Sequence, residues 1–258
     1  MNYSVVRAAI WYVGTGLEAY LVALVFWRRL FKPLPLFSVY ACYVFVWWLG
    51  MWLVRGEGAL YYWSYWIGQL VALVLTYLVI MELYSRVFQA YPFLRTVILS
   101  VLITVLGALI LSSVLLTRTD PHWMRRWLLL LERSVRFTQV GLLLLFFAAA
   151  YYFALRLDAR VRAVGIGFAI YTTVELANFA LVSYFYYHYE RFWDLLSASS
   201  YMVTLAVWAI GLTASAPETA REVARPASGP LVELESAIRK RMEEINRALW
   251  GILRGRLF

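Results

Sequence analysis

The chain has 258 residues, 63% of them hydrophobic and 15% charged, with a mean hydropathy of +0.69 and a formal net charge of +9. Soluble domains carry roughly 25% charged and 45 to 50% apolar residues, so an ordinary soluble fold of this length would expose large apolar patches and is excluded. The basic residues flank apolar runs instead of forming one stripe, which argues against nucleic acid and for phospholipid head groups as the partner.

Crossing roughly 30 Å of hydrocarbon takes about 20 mainly apolar residues. Seven runs meet that length, at 8–27, 36–54, 60–82, 96–116, 134–155, 163–187 and 195–214. They are continuous rather than alternating, and each is about twice the length of a barrel strand. The expected fold is therefore all-α: a polytopic bundle of seven transmembrane helices in the lipid bilayer, followed by an amphipathic tail helix.

The first run contains Glu18 in "GTGLEAYL", with Trp11, Gly14, Thr15 and Val22 on the same helical face. Gly14 and Thr15 there would permit a close helix approach. The second holds Cys42, the single cysteine, so neither a disulfide framework nor a thiolate metal site exists. The third opens on "YYWSYW" (Tyr61 to Trp66), either an interfacial aromatic anchor or, with the cluster Tyr184 to Glu190, the wall of a ligand pocket opening to the outer side, and carries Gln69. After the fourth run comes "TRTDPHWMRRWLLLLERSVRF", in which Trp123 and Trp127 straddle arginines as in a short helix lying at head-group level. Arg136 and Gln139 follow one turn apart; the arginine can pair with an acid or snorkel to the interface. The sixth run places Tyr171, Glu175 and Asn178 on one face and ends in the aromatic cluster Tyr184 to Glu190, and the seventh adds Ser200 and Thr204.

A carboxylate at mid-span costs roughly 2.5 to 3.5 kcal/mol, so such residues face the protein interior. The candidate binding set is Glu18, Gln69, Arg136, Gln139, Tyr171, Glu175 and Asn178. Either each carboxyl simply bonds a neighbouring helix, or the set lines a pocket for a small cationic or hydroxylated ligand or accepts a proton. "EAYLVALV" from Glu18 echoes "ELANFALV" from Glu175, and Tyr40, Val46, Trp47 and Gly50 recur at Tyr201, Val207, Trp208 and Gly211. Inverted repeats are a transporter device, but helices drawn from few residue types generate such matches by chance.

Beyond the bundle (1–215), residues 216–230 form a polar linker. Residues 231–258 then place Leu231, Ile238, Ile245 and Ile252 at seven-residue intervals. This helix either lies on the inner membrane surface, with Leu249, Trp250 and Ile252 inserted, or binds a protein partner or a second copy of the chain.

The seventh run has no lysine for a retinal Schiff base. The two histidines, His122 and His188, fall near one surface, which removes membrane-spanning bis-histidine haem and leaves a metal site shared by those two as a remote alternative. No HExxH, GxSxG or phosphate loop occurs. No catalytic residue, cofactor or metal is assigned. Lys and Arg number 16 on the side of loops one, three, five and the tail against 8 on the other, which puts the N-terminus outside and the C-terminus in the cytoplasm of a cell inner membrane.

"MELYSRVFQAYP" closing the third run and "LERSVRF" opening the fifth give the chain a layout that resembles a group of uncharacterised bacterial seven-span membrane proteins over about 10–215. In topology alone it is also similar to the seven-helix sensory modules of bacterial receptors. Neither resemblance implies a catalytic residue. The expected function is a non-catalytic receptor-like or accessory module with a polar intramembrane pocket, the alternative being a small-solute or proton-coupled transporter using the same glutamates.

Overall fold

The computed structural model describes residues 3–54, 56, 58–117, 123–155, 157–185, 190–214 and 229–255. Eight helices account for nearly all of them: α1 (Tyr3–Trp27), α2 (Pro35–Leu53), α3 (Gly58–Val87), α4 (Pro92–Thr117), α5 (Trp123–Tyr152), α6 (Ala159–Phe185), α7 (Glu190–Ala214) and α8 (Gly229–Gly255). Helices α1 to α7 are each long and apolar enough to cross a membrane. Two boundaries differ most from expectation, while α4 and α6 each begin four residues early. α3 continues to Val87, and the fifth span begins at Arg126 within an unbroken α5. The separate interfacial helix expected around Trp123 and Trp127 therefore does not form, because the Leu128–Leu131 run carries helical pairing straight through the arginines; residues 118–122, including His122, lie outside the described residues.

Helix contacts run α1–α2–α3–α5–α6–α7 and back to α1, closing a ring, while α4 packs outside it against α3 and α5. α4 is correspondingly the least buried and most apolar span. α3 is the hub, and its polar side chains explain why. The Tyr77 hydroxyl donates to Leu102 O on α4 at 2.8 Å, and the Tyr84 hydroxyl to Leu142 O on α5 at 2.7 Å. The Glu82 carboxylate receives the Leu36 and Phe37 amides of α2 at 3.3 and 3.0 Å. Those amides belong to the first turn of a helix with Pro35 at its start and no side-chain cap of its own, so Glu82 satisfies donors that lipid could not.

Two tryptophans lock helix pairs by the same device. Trp47 of α2 lies across Gly68 of α3, donating its indole N–H to Ser64 O at 3.3 Å, while the Tyr43 hydroxyl donates to Gly68 O at 3.0 Å. Trp208 of α7 lies across Gly167 of α6, donating to Val164 O at 3.2 Å, and the Thr204 hydroxyl donates to Gly167 O at 3.2 Å. In each case the residue four before the tryptophan holds the glycine carbonyl, but Trp47 packs on the helix that follows its own and Trp208 on the one that precedes it, so the contacts do not follow the sequence echo. Gly14, expected to admit a close neighbour, faces open space instead.

α1 and α5 end alike. Arg29 and Ala154 adopt positive φ (51° and 49°), and the following Leu30 and Leu155 amides return to Val25 O and Ala150 O at 2.9 Å. This is the Schellman arrangement, here without glycine. Both ends lie on the face where Arg28 reaches Thr213 O of α7 at 3.0 Å and Arg86 reaches Lys32 O at 3.1 Å. α8 docks at this tail face through α4, with Arg239 over the Phe93 ring at 5.5 Å and Ile238 against the core. Val232, Leu234, Met242 and Ile245 stay exposed.

Candidate functional site

Buried and half-buried polar residues gather inside the ring, from the middle of the spans toward the end opposite the tail face. On α5, Glu132 and Arg136 stand one turn apart with a 3.8 Å ion pair, and the Gln69 amide of α3 donates to the same Glu132 oxygen at 2.8 Å. The Arg136 guanidinium also lies 4.9 Å from the centre of the Tyr171 ring and donates to its hydroxyl at 3.4 Å. Tyr171 packs edge-on against Tyr201 of α7, ring centres 5.7 Å apart, and the Tyr201 hydroxyl donates to Glu18 of α1 at 2.7 Å. One turn before Tyr201, the Ser197 hydroxyl donates to Glu175 of α6. Five helices thus contribute to one polar chain, and Tyr40 of α2 lies within electrostatic reach of Arg136, Tyr171 and Glu18.

Burial makes this arrangement costly to leave incomplete. Arg136 is only 3% exposed, yet its Nε and Nη1 have no hydrogen-bond partner. It does not snorkel. α5 starts 13 residues earlier, so Arg136 sits too deep for its side chain to reach the helix end, and Glu132 and Tyr171 hold it inward. Gln139, 0% exposed, reaches Leu73 O through its nitrogen at 3.5 Å while its Oε1 is unpartnered; Asn178 Oδ1 is likewise buried and unpartnered.

Of the seven residues singled out from the sequence, Arg136 and Tyr171 touch directly, Gln69 joins them through Glu132, and Glu18 joins through Tyr201. Glu175 and Asn178 continue the same face of α6, and Gln139 lies one turn beyond Arg136. The two glutamates do not bond each other: α7 presents Ser197 to one and Tyr201 to the other, at positions four apart. Ser200 bonds its own helix at Ser197 O, and Thr204 belongs to the tryptophan–glycine lock. Glu132, Tyr201 and Ser197 were not anticipated. Glu132 fell outside a span drawn from residue 134, although its i, i+4 spacing to Arg136 signals an internal ion pair. His188 and the side chains of Tyr184 to Glu190 lie outside the described residues. Among the described residues no group of three His, Cys, Asp or Glu side chains could hold a metal ion.

Six apolar helices closed around a polar chain, with a seventh, α4, packed outside them and its aliphatic surface turned outward, define a multi-pass membrane protein. No family model, curated protein or solved structure matches the chain.

Proposed function

We propose that the chain is a receptor-like, non-catalytic membrane module that takes a small hydroxylated ligand into the cluster around Arg136 and reports its occupancy through α8. The observation that carries this reading is the guanidinium of Arg136, sealed from solvent with two of its nitrogens unpartnered. Each buried polar group left unpaired costs roughly 1 to 3 kcal/mol. A ligand bearing both acceptor and donor groups would recover that energy, with an acceptor on Arg136 and a hydroxyl on Gln139 Oε1, one turn away on the same helix. Glu18, Gln69, Tyr171 and Glu175 would complete the lining. In the orientation favoured by lysine and arginine, the N-terminus lies outside a bacterial inner membrane and α8 lies in the cytoplasm, placed to meet a protein partner or a second copy.

A second reading, a small-solute or proton-coupled carrier, is favoured by the succession of polar groups Gln69, Glu132, Arg136 and Tyr171, continued by the Tyr171–Tyr201 ring contact to the Tyr201–Glu18 hydrogen bond. One experiment separates the two. Purified protein is screened against sugars, polyols and amino acids by thermal shift, and the hits are assayed for uptake into proteoliposomes. A receptor gives a shift that Gln139→Leu weakens, with no uptake. Uptake abolished by Glu175→Gln supports the carrier and defeats the receptor reading.

A further inference from the structure

A second polar feature lies far from Arg136, at the tail face. The first turn of α2, the last turns of α3 and the start of α4 enclose an open cleft of about 340 Å³. Its inner wall is apolar, formed by Leu36, Leu78, Met81 and Leu99, and its mouth carries Ser85, Arg86, Gln89 and Arg95. Glu82 also borders it, with both carboxyl oxygens engaged by the α2 amides, so its charge is divided between the positive end of that helix and Arg86 one turn on. Arg86 spends one N–H on Lys32 O, and Arg95 is exposed; neither makes a salt bridge among the described residues. The other acid facing this end of α4 is Glu235 of α8, beside Tyr91. Arg239 of α8 accompanies it over Phe93, so Arg86, Arg95 and Arg239 outnumber Glu82 and Glu235 and the surroundings of the mouth stay net basic.

Position within the bilayer identifies what fits. All three bordering helices are membrane spans, so the apolar wall continues into hydrocarbon while the arginines stand at head-group level. A free phosphate ion would find use for the mouth only; a phospholipid uses both parts. We propose that this cleft is a binding site for an anionic phospholipid, whose phosphate is held by Arg86 and Arg95, whose glycerol or head-group hydroxyls meet Ser85 and Gln89, and whose acyl chain lies along Leu78 and Leu99. Basic recesses between spans are suited to such head groups. The site is independent of the Arg136 cluster, since no residue is shared between them.

The test is native mass spectrometry of the full chain in neutral detergent, titrated with phosphatidylglycerol or phosphatidylcholine. Phosphatidylglycerol should bind about 30-fold tighter, because both lipids carry the phosphate but the choline cation of phosphatidylcholine cancels its net attraction to the two arginines, worth about 1 kcal/mol each. The preference should vanish in Arg86→Gln/Arg95→Gln and persist in Arg29→Gln/Arg162→Gln, which removes equal charge elsewhere on the tail face. Arg95→Gln alone, an exposed change that leaves the Arg86 contact to Lys32 in place, should weaken it about fivefold. Millimolar inorganic phosphate should not displace the lipid. Equal binding of the two lipids, a preference that survives the double variant, or displacement by inorganic phosphate would each overturn the proposal, the last by marking the cleft as a site for free anions.

Discussion

Replacing Gly167 with alanine should damage the bundle far more than the same change at most other glycines. A methyl group built there would stand 2.7 and 2.8 Å from Cδ1 and Cε2 of Trp208, and nearer still to its indole nitrogen. Carbon atoms rest at about 3.5 to 4.0 Å, so the ring must retreat by roughly 1 Å. Trp208 is 1% exposed and wedged against Phe37, Tyr40 and Phe168, leaving no room for that retreat. Overpacking of this kind costs about 1 to 3 kcal/mol, and loss of the indole bond to Val164 O adds about 0.5 to 1.5 kcal/mol. At about 2 to 4 °C per kcal/mol for a chain of this size, the unfolding midpoint in detergent should fall by on the order of 5 to 15 °C. Gly141→Ala is the control, because a methyl there meets nothing within 4 Å. Tryptophan fluorescence and loss of monodisperse protein on heating both report the midpoint. If Gly167→Ala and Gly141→Ala melt together, the tryptophan–glycine lock does not hold α6 to α7 and the packing argument fails. A companion double variant sharpens the point: Trp208→Phe should mask most of the effect of Gly167→Ala, since the two changes strike one contact.

Three further outcomes follow from the geometry. Glu132→Leu should destabilise the protein by about 3 to 5 kcal/mol, because it strands a buried guanidinium, whereas Glu132→Leu combined with Arg136→Met should recover most of that loss in thermal melts; additive losses would show that the two side chains do not act as a pair. Glu82→Ala should free the Leu36 and Phe37 amides and cost about 0.5 to 2 kcal/mol, read as faster hydrogen exchange confined to the first turn of α2. Uniform exchange throughout the bundle would contradict the capping role. Ala154→Gly should raise the melting midpoint slightly, by removing a side chain from a left-handed position worth about 1 to 2 kcal/mol of strain, while Ala149→Gly, inside the same helix, should lower it.

How far the residues alone reach is clearest at α5. Seven runs of sufficient length without water-satisfied breaks could only be helices, since hydrocarbon leaves no partner for an unpaired backbone group. That argument is local, and it correctly places all seven spans and an amphipathic tail helix. It also marks Glu18 and Glu175 as inward-facing, because the cost of a carboxylate among acyl chains does not depend on which helix stands opposite. Glu132 escapes the same reasoning. With Arg133 it reads as the loop before a span drawn from residue 134, yet α5 begins at Trp123, eleven residues earlier, and the carboxylate faces Arg136 inside the bundle.

Which side chains meet is a matter of helix order and rotation, and neither is written in periodicity. Spans buried in lipid have little contrast between faces, so nothing in the α2 pattern announces that Trp47 will cover Gly68, or in α7 that Ser197 and Tyr201 will divide two glutamates between them. The ring closure of α1 on α7 brings residues 183 positions apart into one hydrogen bond. Only the packing of small residues against large ones across helix interfaces selects that arrangement. Composition and span length specify a seven-helix membrane protein with acids turned inward; the assembled bundle converts those acids into a chain centred on an arginine, because close packing decides distances that sequence spacing leaves open.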